Sequence, residues 1–357
     1  ADVGRRARSK RLEGLPSWVE DRPQIIVDEF HKFLRSQKSE TYKAIKAIDP
    51  SRLLLSSGST KGKGPQSLYA ALSLCDPLRF RSYWAYINKH CITSKGVFGL
   101  EIKGVKDIHV WRRAVSHVLI HRLKDRKHYP PKQRMALDVE LEPWQQKIHD
   151  DLRKELMAIT DNGNMLVSIN TLANIIKLRH LLICPKFLDA GLGYGAGLEA
   201  ILEDVKDSEL THWVITVPLT GPIPFIEEFF QKEGYHTERL MGGDGCDADE
   251  IEKRIRRWTI HGGVMVQSTK FAESYELPAA NNMYMLGADY DPEVNAQAED
   301  RINRDIRVTP KPSNIWYVRT LNTYDTELMT AMSSTADLGF AMMDKPLKEI
   351  FNLSHER

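Results

Sequence analysis

Apolar and polar residues along this chain fall into blocks that read alternately as strands and helices. "PQIIVDEF" and "PSRLLLSSGS" are short aliphatic runs bounded by Pro or Gly, the pattern of buried strands. Between them "HKFLRSQKSETYKAIKAI" is polar, with apolar residues at helical spacing. Strand, helix, strand at this length is a βαβ unit, which predicts a parallel pair. Asp28 and Glu29 then fall at the carboxyl end of their strand, where open α/β sheets place ligands.

From about Ser67 to Ile183 the pattern is mainly helical, as in "EPWQQKIHDDLRKELMAI" and "SINTLANIIKLRHLLI"; a short strand, "RMALDVEL", interrupts it. "DAGLGYGAGLE" reads as a Gly-rich linker. Beyond it strands ("HWVITVPL", "YHTERLMG", "GGVMVQST", "NNMYMLGAD", "NIWYVRTL") alternate with helices ("GPIPFIEEFFQKEG", "DADEIEKRIRRW"). The pattern predicts an α/β class with four parts: an α/β domain over 1–90, a helical section and linker over 91–205, a second α/β domain over 206–330 and a tail over 331–357. There is no internal repeat.

Composition narrows the class. At 42 % hydrophobic and 27 % charged over 357 residues, the chain suits a soluble protein of two or three domains. No apolar run approaches the ~20 residues of a membrane span, so no membrane partner is expected. The start, "ADVGRRARSKR", is basic without an apolar core, which argues against a secretory signal; it also lacks Met, so a processed chain or fragment is expected. Fifty basic and 48 acidic residues leave a net charge of +2, too little for a whole-molecule attraction to nucleic acid. Local clusters ("RRARSKR", "RLKDRKH", "KRIRR") could supply it, and equally could be solvated faces. The four cysteines form no CxxC pair, so neither zinc nor a disulfide framework is expected, and a reducing, cytoplasmic compartment fits.

The acidic strand end has a chemical use. One carboxylate can hold Mg²⁺, through water, beside nucleotide phosphates. The next can orient or deprotonate an attacking water. His31 can relay the state of the γ-phosphate to a neighbouring strand end. On its own, "DEFH" is equally a solvated turn.

The residues that follow resolve the ambiguity. After the acidic box come Ser57-Gly58-Ser59-Thr60, then Pro65, Leu68, Tyr69, Leu72, Asp76, Pro77 and Phe80. Farther on stand "VLIHRLKDRKHYPPK" and "LANIIKLRHLLICPKFL". Near the end Tyr290-Asp291-Pro292 precedes Gln297-Ala298-Glu299-Asp300-Arg301-Ile302-Asn303-Arg304. In this order the chain resembles the Swi/Snf-type, DEAH-box branch of superfamily-two helicases. That resemblance implies two RecA-like parallel-sheet domains, the first incomplete, joined by a helical section. It implies ATP and Mg²⁺ as cofactors and double-stranded DNA as partner, with translocation more usual than strand separation. By the same resemblance Asp28 holds Mg²⁺, Glu29 activates water, His31 couples to Ser57, Gly58 and Ser59, and Gln297 belongs to the nucleotide site. Arg304 is the arginine finger and Arg301 its companion; on a helix the two would share a face. Ser268, Thr269 and Lys270 would meet backbone phosphates.

The chain departs from the family pattern in several places. Ala272, Glu273 and Tyr275 stand among residues where the family has glycines that let backbone approach phosphate. His121 stands for the family's second Arg, and Ile306-Arg307 for its Gly-Gln. No G-x-x-x-x-G-K-[ST] phosphate loop occurs; "GSTKGKG" is one residue short and "GLGYGAG" has no strand leading into it. The chain alone is therefore expected to hydrolyse ATP poorly, with an N-terminal motor half upstream or on another chain. The alternative is a non-hydrolysing nucleic-acid-binding or scaffold protein derived from such a motor. A compact phage or bacterial enzyme is the expected source, placed in the cytoplasm or host cytoplasm, or in the nucleus if eukaryotic.

Overall fold

The computed structural model describes residues 23–34, 36–58, 65–96, 99–120, 128–160, 169–243, 247–271, 275–308, 311–326 and 329. The basic N-terminal cluster, most of "RLKDRKH", Ser59, Thr60, His121, Ala272, Glu273 and the tail 331–357 lie outside them. The chain divides between Arg122 and Leu123 into two compact units.

In the first unit β1 (Gln24–Val27) runs parallel to β2 (Arg52–Leu55), with Gln24 opposite Arg52 and Val27 opposite Leu55. The single turn α1 (Phe30–Phe33) and α2 (Glu40–Ile48) make the crossover, so the expected βαβ unit forms. Ser39 caps α2 by accepting from Tyr42 N, which satisfies one of the helix's orphan amides. A 3₁₀ turn at Pro65–Leu68 leads into α3 (Tyr69–Cys75), followed by α4 (Tyr83–His90), β3 (Cys91–Gly96), β4 (Gly99–Val105) and α5 (Ile108–Val115). Leu68, Tyr69, Leu72, Phe80, Tyr86, Ile87 and Trp111 form the core with Phe30 and Ile45. Its polar edges are closed internally. Trp111 Nε1 donates to Tyr86 Oη at 2.7 Å, Tyr86 Oη to Pro65 O at 2.9 Å and Tyr69 Oη to Phe80 O at 3.0 Å. The Pro65-to-Phe80 passage that carries much of the sequence resemblance is thus largely core.

The second unit is built on six parallel strands in the order β5-β10-β9-β6-β8-β7. These are β5 (Lys132–Val139), β6 (His212–Val217), β7 (Thr237–Leu240), β8 (Gly263–Ser268), β9 (Asn282–Leu286) and β10 (Ser313–Thr320). The helices are α6 (Pro143–Thr160), α7 (Ile169–Ile183), α8 (Ala196–Lys206), α9 (Ile223–Lys232), α10 (Ala248–His261) and α11 (Pro292–Glu299). Alternate residues of each strand feed opposite cores. Ile215, Val217, Val264, Val266, Tyr284 and Leu286 meet Leu198, Ile201, Ile226 and Phe230 of α8 and α9 on one face. Val214, Met265, Met283, Met285, Ile315 and Tyr317 meet Trp258 of α10 and Ala298 of α11 on the other.

Three expectations change. The section 91–205 is not mainly helical throughout. Cys91–Gly96 and Gly99–Val105 pair as an antiparallel hairpin, and β5 is an edge strand of the six-stranded sheet, so the helices after it belong to the second unit. The β-branched and aromatic content of "CITSKGVFGLEIKGV" outweighs its helical-looking spacing. The Gly-rich linker is also shorter than expected, because its last residues begin α8. Gly195, with φ 99°, turns the chain into that helix, where a Cβ would meet Pro185 Cδ at 2.7 Å. Finally, the helix expected to carry both arginines ends at Glu299, leaving Arg301 in a turn and Arg304 in irregular chain.

Candidate functional site

The parallel pairing of β1 and β2 brings their carboxyl ends side by side. Ser56 N donates to Val27 O at 2.9 Å and Phe30 N to Ser56 O at 3.1 Å, which locks the two exits together. Asp28 Oδ1 accepts from Ser56 Oγ at 2.6 Å and from Glu29 N at 2.9 Å. The Ser56 bond, then the backbone bond, lower its pKa and keep it ionised. The carboxylate is exposed and its second oxygen can reach a hydrated cation. That donor set fits Mg²⁺, which binds through few carboxylates, water and phosphates. Among the described residues no cluster of three or more His, Cys, Asp or Glu forms a closed metal cage.

Glu29 adopts φ 48° and ψ 44°, a left-handed conformation uncommon for a residue with a Cβ. The turn swings its side chain back over β2. Glu29 Oε2 lies 3.0 Å from His31 Nδ1 and accepts from Ser57 Oγ at 3.3 Å, while His31 Nδ1 and Ser57 Oγ are 2.5 Å apart. His31 is buried, so the imidazole is a fixed post on which carboxylate and hydroxyl are both oriented. A Cβ on Gly58 would sit 3.8 Å from Glu29 Oε1. Asp28, Glu29, His31, Ser57 and Gly58 therefore lie together at the ends of β1 and β2; Ser59 lies outside the described residues. Ser56, which fixes Asp28, was overlooked in the sequence although it opens the same hydroxyl run.

In the second unit Arg301 Nη1 donates to Tyr275 O at 2.8 Å and its Nε to Gln297 O at 3.2 Å. Arg304 Nη2 pairs with Glu276 Oε1 at 3.2 Å, and its buried Nε has no hydrogen-bond partner. Burial, then the charge of Arg304, lowers the pKa of Arg301, as expected of two neighbouring guanidiniums. A common grip, not a common helical face, holds them close. Glu299 is 1 % exposed and takes Arg134 Nε at 2.7 Å and Nη2 at 2.5 Å, with Tyr317 Oη at 2.8 Å and Lys132 Nζ at 3.3 Å. Asn303 Nδ2 donates to Pro130 O at 3.0 Å. Residues 299 and 303 thus tie the turn to β5 and β10, while Arg301 and Arg304 engage Tyr275 and Glu276 in the segment before β9. Sequence reading missed Arg134, whose partner is 165 residues away.

Ser268 ends β8 and lines an open cavity of about 260 Å³ with Lys270, Phe271, Thr220 and Gly242, at the carboxyl ends of β6, β7 and β8. Thr269 points elsewhere in the alternation: it is 2 % exposed, and its Oγ1 has no hydrogen-bond partner. Ser268 is equally covered, at 1 % exposed, so of the three phosphate candidates only Lys270 is exposed, with Ser268 in the cavity wall beside it. Thr220, missed in the sequence, adds a hydroxyl there.

No family profile matches the chain. Over 299 residues, 78 % of its length, it is 23 % identical to the ISWI chromatin-remodeling complex ATPase CHR17 of Arabidopsis thaliana. Over 85 % of its length it is 20 % identical to the mouse SWI/SNF-related matrix-associated actin-dependent regulator of chromatin subfamily A member 1. It spans 27 % and 30 % of those proteins' own lengths. The Sulfolobus solfataricus SWI2/SNF2 ATPase core, solved in complex with dsDNA, aligns over 97 % of this chain and 76 % of its own with a TM-score of 0.50 and 15 % identity, a likeness of fold. Among the described residues no helix is long and apolar enough to cross a membrane. The six-stranded parallel sheet is of the RecA-like kind, and the chain is a distant homologue of the SWI2/SNF2 ATPases.

Proposed function

We propose that this chain is part of an ATP-driven motor that moves along double-stranded DNA. The observation that carries this reading is the cluster at the ends of β1 and β2, where an ionised Asp28 and a His31-braced Glu29 stand together. Mg²⁺ bound with ATP would supply Lewis-acid stabilisation of the phosphates. Asp28 would hold the cation through its water shell. Glu29, oriented by His31 and Ser57, takes the proton of the attacking water. Movement of Ser57 and Gly58 would shift His31 and so report nucleotide state to β2. Arg301 and Arg304 meet the charge that grows on the γ-phosphate, with Gln297 beside them. Lys270 contributes to backbone contact, with Ser268 in the cavity wall beside it; Thr269, also expected there, is buried and takes no such role.

The phosphate-gripping loop is not among the 357 residues, so the motor requires a partner segment. The chain alone is expected to show no DNA-stimulated hydrolysis, and a protein carrying this chain together with a phosphate-loop segment to show it. In that protein Glu29→Gln should reduce the rate by at least ~10²-fold, in keeping with the loss of a general base. An unchanged rate refutes the role of Glu29. A non-hydrolysing scaffold is favoured instead by the replaced glycines; it predicts DNA binding with no hydrolysis in either form.

A further inference from the structure

The first unit carries a surface that the acidic cluster does not use. Residues 76–120 contain eight Lys and Arg against three Asp and Glu, a surplus of five positive charges in a chain whose total is +2. Within this segment α4 buries Tyr86, Ile87 and His90 and exposes Trp84, Ala85, Asn88 and Lys89. At 100° per residue the four exposed positions span an arc of about 140°.

Trp84 is 58 % exposed, and its ring neighbour Tyr83 meets it edge-on at 5.3 Å, so a broad indole face stays in solvent. Tryptophan is otherwise among the most thoroughly covered side chains. Arg81, one residue before the Ser82 cap, and Lys89 make no hydrogen bond or ion pair among the described residues. Arg79 differs: its Nη1 donates to His117 Nδ1 at 2.9 Å, and His117 Nε2 donates to Asp76 Oδ2 at 2.8 Å. Lys106 Nζ donates to Asn88 O at 2.7 Å, which places a third ammonium or guanidinium charge beside the exposed arc.

We propose that this face of α4 binds a single nucleic-acid strand. Trp84 is the platform for an unpaired base, and Arg81, Lys89 and Lys106 meet the backbone phosphates. Stacking on an aromatic ring together with phosphate contacts is how proteins hold single strands without reading sequence. An intact duplex hides its base faces in its own stack, so it offers the indole nothing; the ring therefore favours the single strand. An acidic peptide would satisfy the cations and leave the ring unused.

The test needs no nucleotide triphosphate, so its outcome is independent of the hydrolytic reading. Fluorescence anisotropy of the full chain with a labelled oligothymidylate about 20 nucleotides long is compared with a blunt duplex of that length. Trp84→Ala should weaken oligothymidylate binding about tenfold and duplex binding less than about twofold, and Trp84→Phe should retain most of the affinity. Arg81→Gln with Lys89→Gln should flatten the salt dependence by about 1.4 in log–log slope, as the loss of two single-strand phosphate contacts requires. The proposal is overturned if Trp84→Ala leaves oligothymidylate binding unchanged. It is also overturned if the wild-type chain ignores the oligonucleotide, or if it binds polyglutamate in a Trp84-dependent way instead.

Discussion

Replacing Glu299 with Gln removes the carboxylate that Arg134 grips with two nitrogens inside the second unit. Burial would push Glu299 upward, but Arg134, then Lys132, override it and hold the pKa at about 2, below its ordinary 4.5. That displacement corresponds to about 3 kcal/mol of folding stability. An independent measure agrees: stripping one partner from a buried ion pair costs about 3–5 kcal/mol, because the other charge is left unpaired. The sign follows from the depressed pKa. Stability from Glu299 is fully present above about 4.5 and is lost as pH falls towards about 2. Urea unfolding at neutral pH, read by amide hydrogen exchange in β9 and β10, should show Glu299→Gln losing about 3 kcal/mol, with a smaller deficit near pH 3. Replacing Arg134 and Glu299 together by Met should recover much of the loss. A deficit below about 1 kcal/mol at neutral pH, or one that ignores pH, would refute the reasoning.

Three further outcomes are expected. Gly263 has φ 91°, and a Cβ there would lie 2.0 Å from His236 O, so Gly263→Ala should destabilise the second unit by more than about 2 kcal/mol, seen as a lowered thermal midpoint. Burial raises Asp325 to about 6 from 3.8, so its contribution is best below 3.8 and is lost as pH rises through about 6; Asp325→Asn should stabilise by up to about 3 kcal/mol at pH 8 and by nothing near pH 4 in chemical denaturation. The Glu276–Arg304 pair is surface-screened, with Glu276 56 % exposed, so Glu276→Gln should tighten pyrophosphate binding by no more than about fivefold in titration calorimetry.

The sequence disclosed what depends on neighbours in the chain. "PQIIVDEF" and "PSRLLLSSGS" became β1 and β2 because aliphatic runs bounded by Pro or Gly leave little alternative, and the acidic cluster followed from their parallel pairing. The strands from His212 onward were equally legible; β6, β8 and β9 are buried on both faces and so read as continuous apolar runs. What stayed hidden depends on distant partners. Asp300 caps α11 where helical spacing alone would carry it through Arg304, and the turn beyond is fixed by Arg134 and Pro130. The edge position of β5 could not be read from "RMALDVEL", which looks the same in any sheet. Arg301 had the right neighbours in sequence, yet its bond to Tyr275 O depends on a loop reached through β8 and β9.

The pairing of β5 with β10 also sets a schedule for synthesis. Lys132 lies opposite Ser313, so the partner of this strand is 181 residues downstream. At about 5–20 residues per second, a ribosome takes roughly 10–40 s to deliver it. For that interval the edge of β5 is born without its neighbour, and the late contact also carries a loop-closure cost that slows refolding of the finished chain. The Arg134–Glu299–Tyr317 grip joins β5, the end of α11 and β10, so it closes only when β10 arrives. The same residues that position the arginines thereby make completion of the charge site wait on the pairing of β5 with β10.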